Sequence, residues 1–319
     1  MVLWTFVHVV RIAIGLLALT SAVLTAIHYP WHTDTLSDAP RSEQVKDYYE
    51  CAYGAGSSGS AAPPDEAYVR MARAHAVKAG IPHAIGSLLD HFGLRSARAL
   101  ECGAGSGLLQ DLVRNYTAID VSAAAHRFFR RPFVAASGTA LPFQDDAFDV
   151  VWTVWVLEHV RNPERALGEI RRVVRHGGYV LLRPAWNCDA WAADGYEVRP
   201  YSDFGAVGKL VKASIPIRTS RWYALLHRRQ VRLLRTLATG VRSLRGQPSR
   251  LRFTRLTPNY DEYWVTDSDA VVSLDFFELF LWFTSRGDTC PGAPSRNTLL
   301  FGGPGRWPEF LVVRVNKAK

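Results

Sequence analysis

The sequence predicts an open, doubly wound α/β sheet, and three observations carry that expectation. A short apolar run ends in Glu101 and passes into glycines at every second position, Gly103, Gly105 and Gly107. A second apolar run ends in Asp120, seventeen residues after Gly103. Beyond it, apolar runs of strand length alternate with stretches of helical length as far as Leu182. That alternation is the pattern of a parallel sheet with helices on both faces.

The first element is apolar. Residues 2–29 are broken only by His8, Arg11 and a few small polar residues, and Ile12 to Ile27 form an uninterrupted core. Sixteen residues approach the roughly 17 that a spanning helix needs. The apolar run before Arg11 is wrong for the charged start of a signal peptide, so residues 1–29 are read as an uncleaved membrane anchor, with Tyr29 and Trp31 at the interface. A signal peptide cleaved among the small residues Ser21, Ala22, Thr25 and Ala26 is the other reading. Residues 30–64 form a linker that can also close as a lid. Within it, 51–64 is a stretch of small residues, and Tyr48, Tyr49 and Tyr53 are the lid candidates. Helical spacing follows over Asp65–Ala79 and Pro82–Phe92. Strand one is expected at 97–102, with a helix from Ser106 whose free amides form a polar cradle. Strand two is expected at 117–121, with Ser122 as the cap of the next helix. Strands at 131–135 and 148–154 come next. Asn162-Pro163 reads as a cap and first helical residue, and Gly177-Gly178 as the left-handed end of that helix. Strand five is placed at 179–183.

The glycine turn is not a dinucleotide fingerprint. Its third glycine comes one residue early, Leu108 stands where the last glycine belongs, and Glu101 precedes the turn. The spacing E-x-G-x-G-x-G resembles motif I of class I S-adenosylmethionine (SAM)-dependent methyltransferases. Five later blocks agree: Leu141-Pro142-Phe143, Phe148-Asp149-Val150-Val151, Leu157-Glu158-His159-Val160, the run from Glu169 to Val174, and Gly177-Gly178. Together they are similar to the methyltransferase type 11 subfamily over about residues 97–185. The resemblance implies a Rossmann-like, mostly parallel seven-stranded sheet with an antiparallel last strand, for which Phe310–Val315 is the candidate. It also implies SAM as cofactor, its amino-acid end held by Glu101 and the turn Gly103, Ala104, Gly105 and Gly107. Asp120, with Val121 beside it, accepts the ribose hydroxyls in that scheme, and Ser137, Thr139 and Leu141 complete the cofactor set. Ser137 departs from the pattern, because the family carries an Asp near adenine there.

The charge is confined to one segment. The chain of 319 residues has a formal net charge of +9, yet no acidic residue lies between Asp203 and Asp261, where thirteen of the 38 Lys and Arg fall. Ser220 can cap a helix over 221–245 with apolar residues (Trp222, Leu225, Leu226, Leu233, Leu237, Val241, Leu244) on one face. Arg221, Arg228, Arg232, Arg235 and Arg242 gather on the other. Such a basic amphipathic helix, within an insertion at about 200–258 of a domain running from 65 to 319, is read three ways. It packs on the domain with a solvated arginine face, or docks on anionic lipid, or binds nucleic acid. The scarcity of interleaved aromatics and the anchor argue against nucleic acid. After it, the acidic and aromatic stretch from Asn259 to Ala270 is read as a substrate wall or as a structural cap pairing with the arginine helix. A Phe- and Leu-rich helix is expected over about 269–286.

Four scattered cysteines, with no C-x-x-C pair and no Cys/His cluster, exclude a structural metal site. His159, at the carboxyl edge of strand four, is the candidate general base, since an imidazole titrates near neutral pH. Trp152 and Trp155 are read as core or as pocket lining. The function expected is a membrane-anchored, single-pass methyltransferase acting on a lipid, lipid-linked or glycan acceptor. The catalytic domain is placed in the cytosol, where SAM is made, with a Golgi-like lumenal site as the other orientation. The alternative, kept open by Ser137, is a degenerate Rossmann-like or SAM-binding scaffold without methyltransferase activity.

Overall fold

The computed structural model describes residues 2–34, 39–54, 65–262, 267–301 and 308–317. The apolar N-terminal run forms a single helix, α1 (Val2–His28), followed by α2 (Ala39–Tyr53), α3 (Asp65–Lys78) and α4 (Ile81–His91). Then come β1 (Arg98–Cys102), β2 (Asn115–Asp120), β3 (Phe133–Ala135), β4 (Phe148–Val154), α5 (Pro163–Val173) and β5 (Val174–Arg183). The insertion holds α6 (Ala206–Arg218) and α7 (Arg221–Leu244), and the chain closes with β6 (Thr254–Arg255), β7 (Val272–Ser273), α8 (Phe276–Thr284), α9 (Arg296–Phe301) and β8 (Leu311–Arg314).

Six strands form the main sheet in the order β3-β2-β1-β4-β5-β8, and β6 pairs with β7 apart from it. All neighbours in the main sheet are parallel except β5 and β8, so the expected antiparallel last strand is present. The seventh strand is not. Among the described residues, the far edge of β8 carries only an isolated bridge from Thr289 to Arg314. Side chains alternate across each strand. Ala99, Val150 and Trp152 pack with Ile81, Ile85 and Leu89 of α4 on one face. Leu100, Cys102 and Val151 pack with Leu167 and Ile170 of α5 and with α8 on the other. Trp152 is therefore core.

Several local expectations are corrected. No regular helix follows the glycine turn; Gly105 to Asp111 is a run of turns that delivers the chain to β2. A 3₁₀ turn over Ala123–Phe128 stands in for the next helix, and the Ser122 side chain makes no capping bond to it. Gly177 does adopt φ +75°, but inside β5, where the pairing with β4 shifts register. The helix has already ended at Val173. The N-terminal amides of α5 are not capped by Asn162. Asp34 accepts from Arg165 N (2.8 Å) and Glu164 N (3.3 Å), which fastens the segment after α1 to the domain. Part of the linker is likewise ordered as α2, while residues 55–64 lie outside the described residues. The Phe-rich helix is confined to 276–284.

The largest correction concerns α7. Two of its arginines turn inward and much of its apolar face outward: Arg232 and Arg235 are 3% and 4% exposed, whereas Trp222 and Leu244 are 79% and 90% exposed, and Arg221 and Arg229 stay at the surface. Arg235 forms a fork with Glu278 of α8 (2.7 and 2.8 Å), and Arg232 pairs with Asp275 at 3.0 Å. Among the described residues, the carboxylates that pair with these two arginines are Asp275 and Glu278, not the expected stretch 259–270, of which 263–266 lie outside the described residues. Removing one member of a buried pair strands the other charge. Glu278→Ala should lower stability by about 3–5 kcal/mol, read as a reduced denaturation midpoint of the full chain in detergent.

Candidate functional site

In an open α/β sheet, ligands bind beyond the carboxyl ends of the strands where the strand order reverses. Here that point lies between β1 and β4: the chain runs outward from β1 through β2 to β3, then returns to β1's other side. A cleft of about 880 Å³ opens there, within the range of small-molecule sites.

Glu101, next to last in β1, lies at the cleft and accepts a hydrogen bond from the Tyr116 hydroxyl. Burial pushes its carboxyl up to about 8, against the opposing effect of that bond. The chain then turns through Gly103 (φ +72°), Ala104 and Gly105 (φ +44°). A Cβ on Gly103 would lie 2.3 Å from Val156 Cγ2, and one on Gly105 would lie 2.6 Å from the Tyr53 hydroxyl. Both positions need glycine, for conformation and for space. Gly105 N–H donates to Asp120 Oδ2 (2.8 Å), and Ser122 N–H donates to Oδ1 (3.0 Å). Burial raises the Asp120 carboxyl to about 6, and the backbone amides moderate the rise.

Val121, Ser137 and Thr139 continue the same wall, the two hydroxyls 2.8 Å apart. His159 stands across the cleft in a 3₁₀ turn after β4. Its Nδ1 is 3.6 Å from Asp269 Oδ2, and its Nε2 is 3.8 Å from Glu158 Oε1. Burial alone would lower the imidazole, but Asp269 and Glu158 outweigh it and the net shift is upward. Glu158 itself is fully buried behind the histidine, and burial pushes its carboxyl up to about 7. The Tyr49 hydroxyl donates to Asp269 Oδ2 at 2.8 Å.

Nine of the eleven residues singled out in the sequence therefore line one cleft. Two do not. Gly107 (φ +68°) faces the Phe128 carbonyl, 3.0 Å from where its Cβ would stand, so its glycine serves the turn. Leu141 is buried in the core below, its amide donating to Glu169 Oε2 (2.8 Å). Tyr49 and Tyr53 come from α2 to cover the cleft, and Asp267 and Asp269 add an acidic wall; residues 263–266 of that stretch lie outside the described residues. Trp155 lines the cleft with φ +53°, a conformation costly for an aromatic residue and typical of sites that hold strain.

Sequence reasoning missed Glu50, which accepts from Ala123 N (2.7 Å), Ala124 N (3.0 Å) and Ser122 Oγ (3.1 Å). It clamps α2 onto the rim next to Asp120. It also missed His75 of α3, which lines the cleft 4.9 Å from the Trp155 ring. Neither carries a local signal, because each is defined by a partner distant in sequence. Among the described residues no cluster of His, Cys, Asp or Glu can hold a metal.

Comparison with known proteins agrees with this geometry. Residues 100–182 match the family profile described as a methyltransferase domain. Those residues are a class I methyltransferase domain. Phthiotriol/phenolphthiotriol dimycocerosates methyltransferase 1 of Mycobacterium ulcerans is 36% identical over 120 residues, which cover 33% of this chain and 44% of that protein. Demethylmenaquinone methyltransferase of Renibacterium salmoninarum is 43% identical over 56 residues, covering 17% and 24%. The chain thus spans less than half the length of these curated relatives. A solved SAM-dependent methyltransferase from Aquifex aeolicus is 20% identical, with a TM-score of 0.29 over 33% of this chain and 64% of that one.

A methyltransferase domain of this class takes SAM, and the cleft fits it. Two glycines at positive φ line the cleft where side chains would collide with Val156 and Tyr53, and the buried carboxyls of Glu101 and Asp120 stand beside them. Gly103→Ala places a methyl group inside Val156 and holds a side chain at positive φ. It should cost about 1–3 kcal/mol in thermal or chemical unfolding and abolish SAM binding in calorimetry.

Proposed function

We propose that this chain is a membrane-anchored methyltransferase that transfers the methyl group of SAM to a lipid, lipid-linked or glycan acceptor. The observation that carries the reading is the convergence of Glu101, the glycine turn and Asp120 at the sheet's switch point, with His159 on the facing wall. SAM supplies an activated methyl group on a sulfonium. The protein's tasks are therefore to position the acceptor, exclude water and handle a proton.

Glu101 would hold the ammonium of the cofactor's amino-acid end, the turn Gly103–Gly105 would leave room for it, and Asp120 would accept the ribose hydroxyls with the lone pairs its amide bonds leave open. Val121, Ser137 and Thr139 border the adenine. Tyr49 and Tyr53 close the top and shed water. His159 receives the proton of an acceptor hydroxyl or amine, while Asp269 and Glu158 orient the ring and stabilise its cationic form.

Membrane anchoring rests on α1, whose segment Phe6–His28 is long and apolar enough to cross a bilayer. The acceptors in the relatives' names, dimycocerosates and demethylmenaquinone, support a lipid substrate over a soluble one.

Two predictions follow from the protonation states. A carboxyl raised to about 8 is mostly neutral at pH 7, and a ligand ammonium favours its ionised form. SAM binding at pH 7 should then release protons, with affinity rising toward pH 8. Below about pH 6 the affinity should fall further, as Asp120 is protonated before it can accept from the ribose. Calorimetric titration of the full chain in detergent across this range tests both, and Asp120→Ala should abolish binding; a well-folded wild-type chain that binds no SAM would refute the enzyme reading. His159→Asn should leave SAM affinity unchanged and lower kcat by roughly 10²–10⁴-fold, measured by methyl transfer from labelled SAM to membrane lipid extracts.

A further inference from the structure

The inversion of α7 leaves an apolar stripe that, beyond its contact with the end of α1, no described residue covers. Trp222, Leu233, Leu237, Val241 and Leu244 recur at spacings that place them on one stripe, and all are exposed. On the preceding helix α6, Val207, Leu210 and Ile217 are exposed as well. The opposite side of α7 is committed elsewhere. Arg232 also donates to the Leu299 carbonyl (2.8 Å), and Arg235 to the Arg250 carbonyl (3.0 Å), so the helix cannot roll to hide its leucines without breaking buried ion pairs. Folded chains rarely present so much contiguous apolar surface to water.

What covers this face is indicated by its neighbour. The hydrogen bonds between α7 and the N-terminal segment fall at the end of α1: Ser21 Oγ donates to the Leu226 carbonyl (2.6 Å), Gln230 Nε2 donates to Ser21 Oγ (2.9 Å), and the Tyr223 hydroxyl meets His28 Nε2 (2.8 Å). The apolar stripe is thus continuous with the exit of the helix that is apolar enough to span a bilayer. The segment 204–260 carries no acidic residue to be repelled by anionic headgroups, and Lys209, Arg221, Arg245 and Arg250 are exposed beside the stripe. A helix with one apolar face and cationic flanks is the kind that lies at the headgroup–acyl boundary, and Trp222 suits that depth.

We propose that α6 and α7 form an in-plane platform whose apolar side chains enter the same bilayer as α1. The contact is hydrophobic, not the arginine-to-headgroup docking that the charge pattern alone implies. The proposal rests on the membrane reading of α1 and deepens it. The platform holds the domain at a fixed height, and the acceptor it favours is a lipid of the adjoining leaflet. The link to the cleft is short, since Asp269 in the cleft wall is six residues from Asp275, the partner of Arg232.

The test uses the full chain in phosphatidylcholine vesicles, in a Cys51→Ser background because Cys51 is the exposed thiol among the described residues. Single cysteines at Leu16→Cys (α1), Leu237→Cys (platform) and Ala140→Cys (domain surface) carry a polarity-sensitive fluorophore, challenged with brominated phosphatidylcholine or aqueous iodide. Positions 16 and 237 should lose most of their emission to the brominated lipid and little to iodide, and position 140 the reverse. Quenching of 16 by lipid but of 237 by iodide overturns the platform and leaves the anchor standing. Shelter of 237 from both quenchers, with cross-linking between copies, overturns it in favour of self-association. A label at 16 that brominated lipid does not quench overturns the anchor reading, and with it the shared bilayer.

Discussion

The hydrogen bond from Gly105 N–H to the Asp120 carboxylate is the constraint on which the site depends. It ties the turn after β1, which borders the switch point, to the tip of the neighbouring strand β2. The turn can reach that carboxylate only because Gly103 and Gly105 take positive φ where side chains would collide with Val156 and Tyr53. Asp120 lies almost out of water and bears the desolvation that raises its carboxyl, yet its amide donors are fixed before any ligand arrives. Preorganised donors and acceptors need not reorganise on binding. Glu50 repeats the device one layer out, accepting the next two amides and clamping α2 over the cleft.

The N-terminal segment is stitched to the same body by a different set of bonds. Asp34 takes the free amides of α5, and His32 pairs with Phe253 through both backbone bonds (3.1 and 3.2 Å). A segment that composition marks as a linker therefore fixes where α1 leaves the domain. A helix dipole satisfied by a distant carboxylate is worth a few tenths to about 1 kcal/mol, enough to choose one path for an otherwise polar connection.

What was legible in the sequence is what local chemistry decides. The buried strands read as apolar runs, the turn read as glycines, and the carboxylates near the ends of β1 and β2 read as site residues that the fold brings to one cleft. The failures share one physical cause, that partners distant in sequence outweigh local preference. The stretch after Gly107 is held as turns by the Phe128 carbonyl and the Gln110 side chain, which donates to it at 3.1 Å. Leu141 belongs to a block that resembles a cofactor motif, but its side chain completes the core. For α7, periodicity gave two faces correctly and could not say which turns inward. Arginines face water by default, and the buried Glu278 of α8 with the half-buried Asp275 at its N-terminus reverses that choice for Arg235 and Arg232.

Those carboxylates also join the two working parts of the molecule. The segment from Asp267 to Glu278 begins in the cleft wall and ends in the fork with Arg235. Between them, Val271 N–H donates to the Glu158 carbonyl (2.9 Å) beside His159, and Val271 O accepts from Leu256 N–H (2.9 Å). The chain thus links the turn that carries His159 to the ion pairs of α7. An ion pair in a low-dielectric interior tolerates little separation, because each charge stranded there costs several kcal/mol. A displacement of α7 relative to α8 large enough to matter would break two such pairs. Two ion pairs and the hydrogen bonds of Val271 therefore join the arginine helix to the segment that carries Asp269 into the cleft wall.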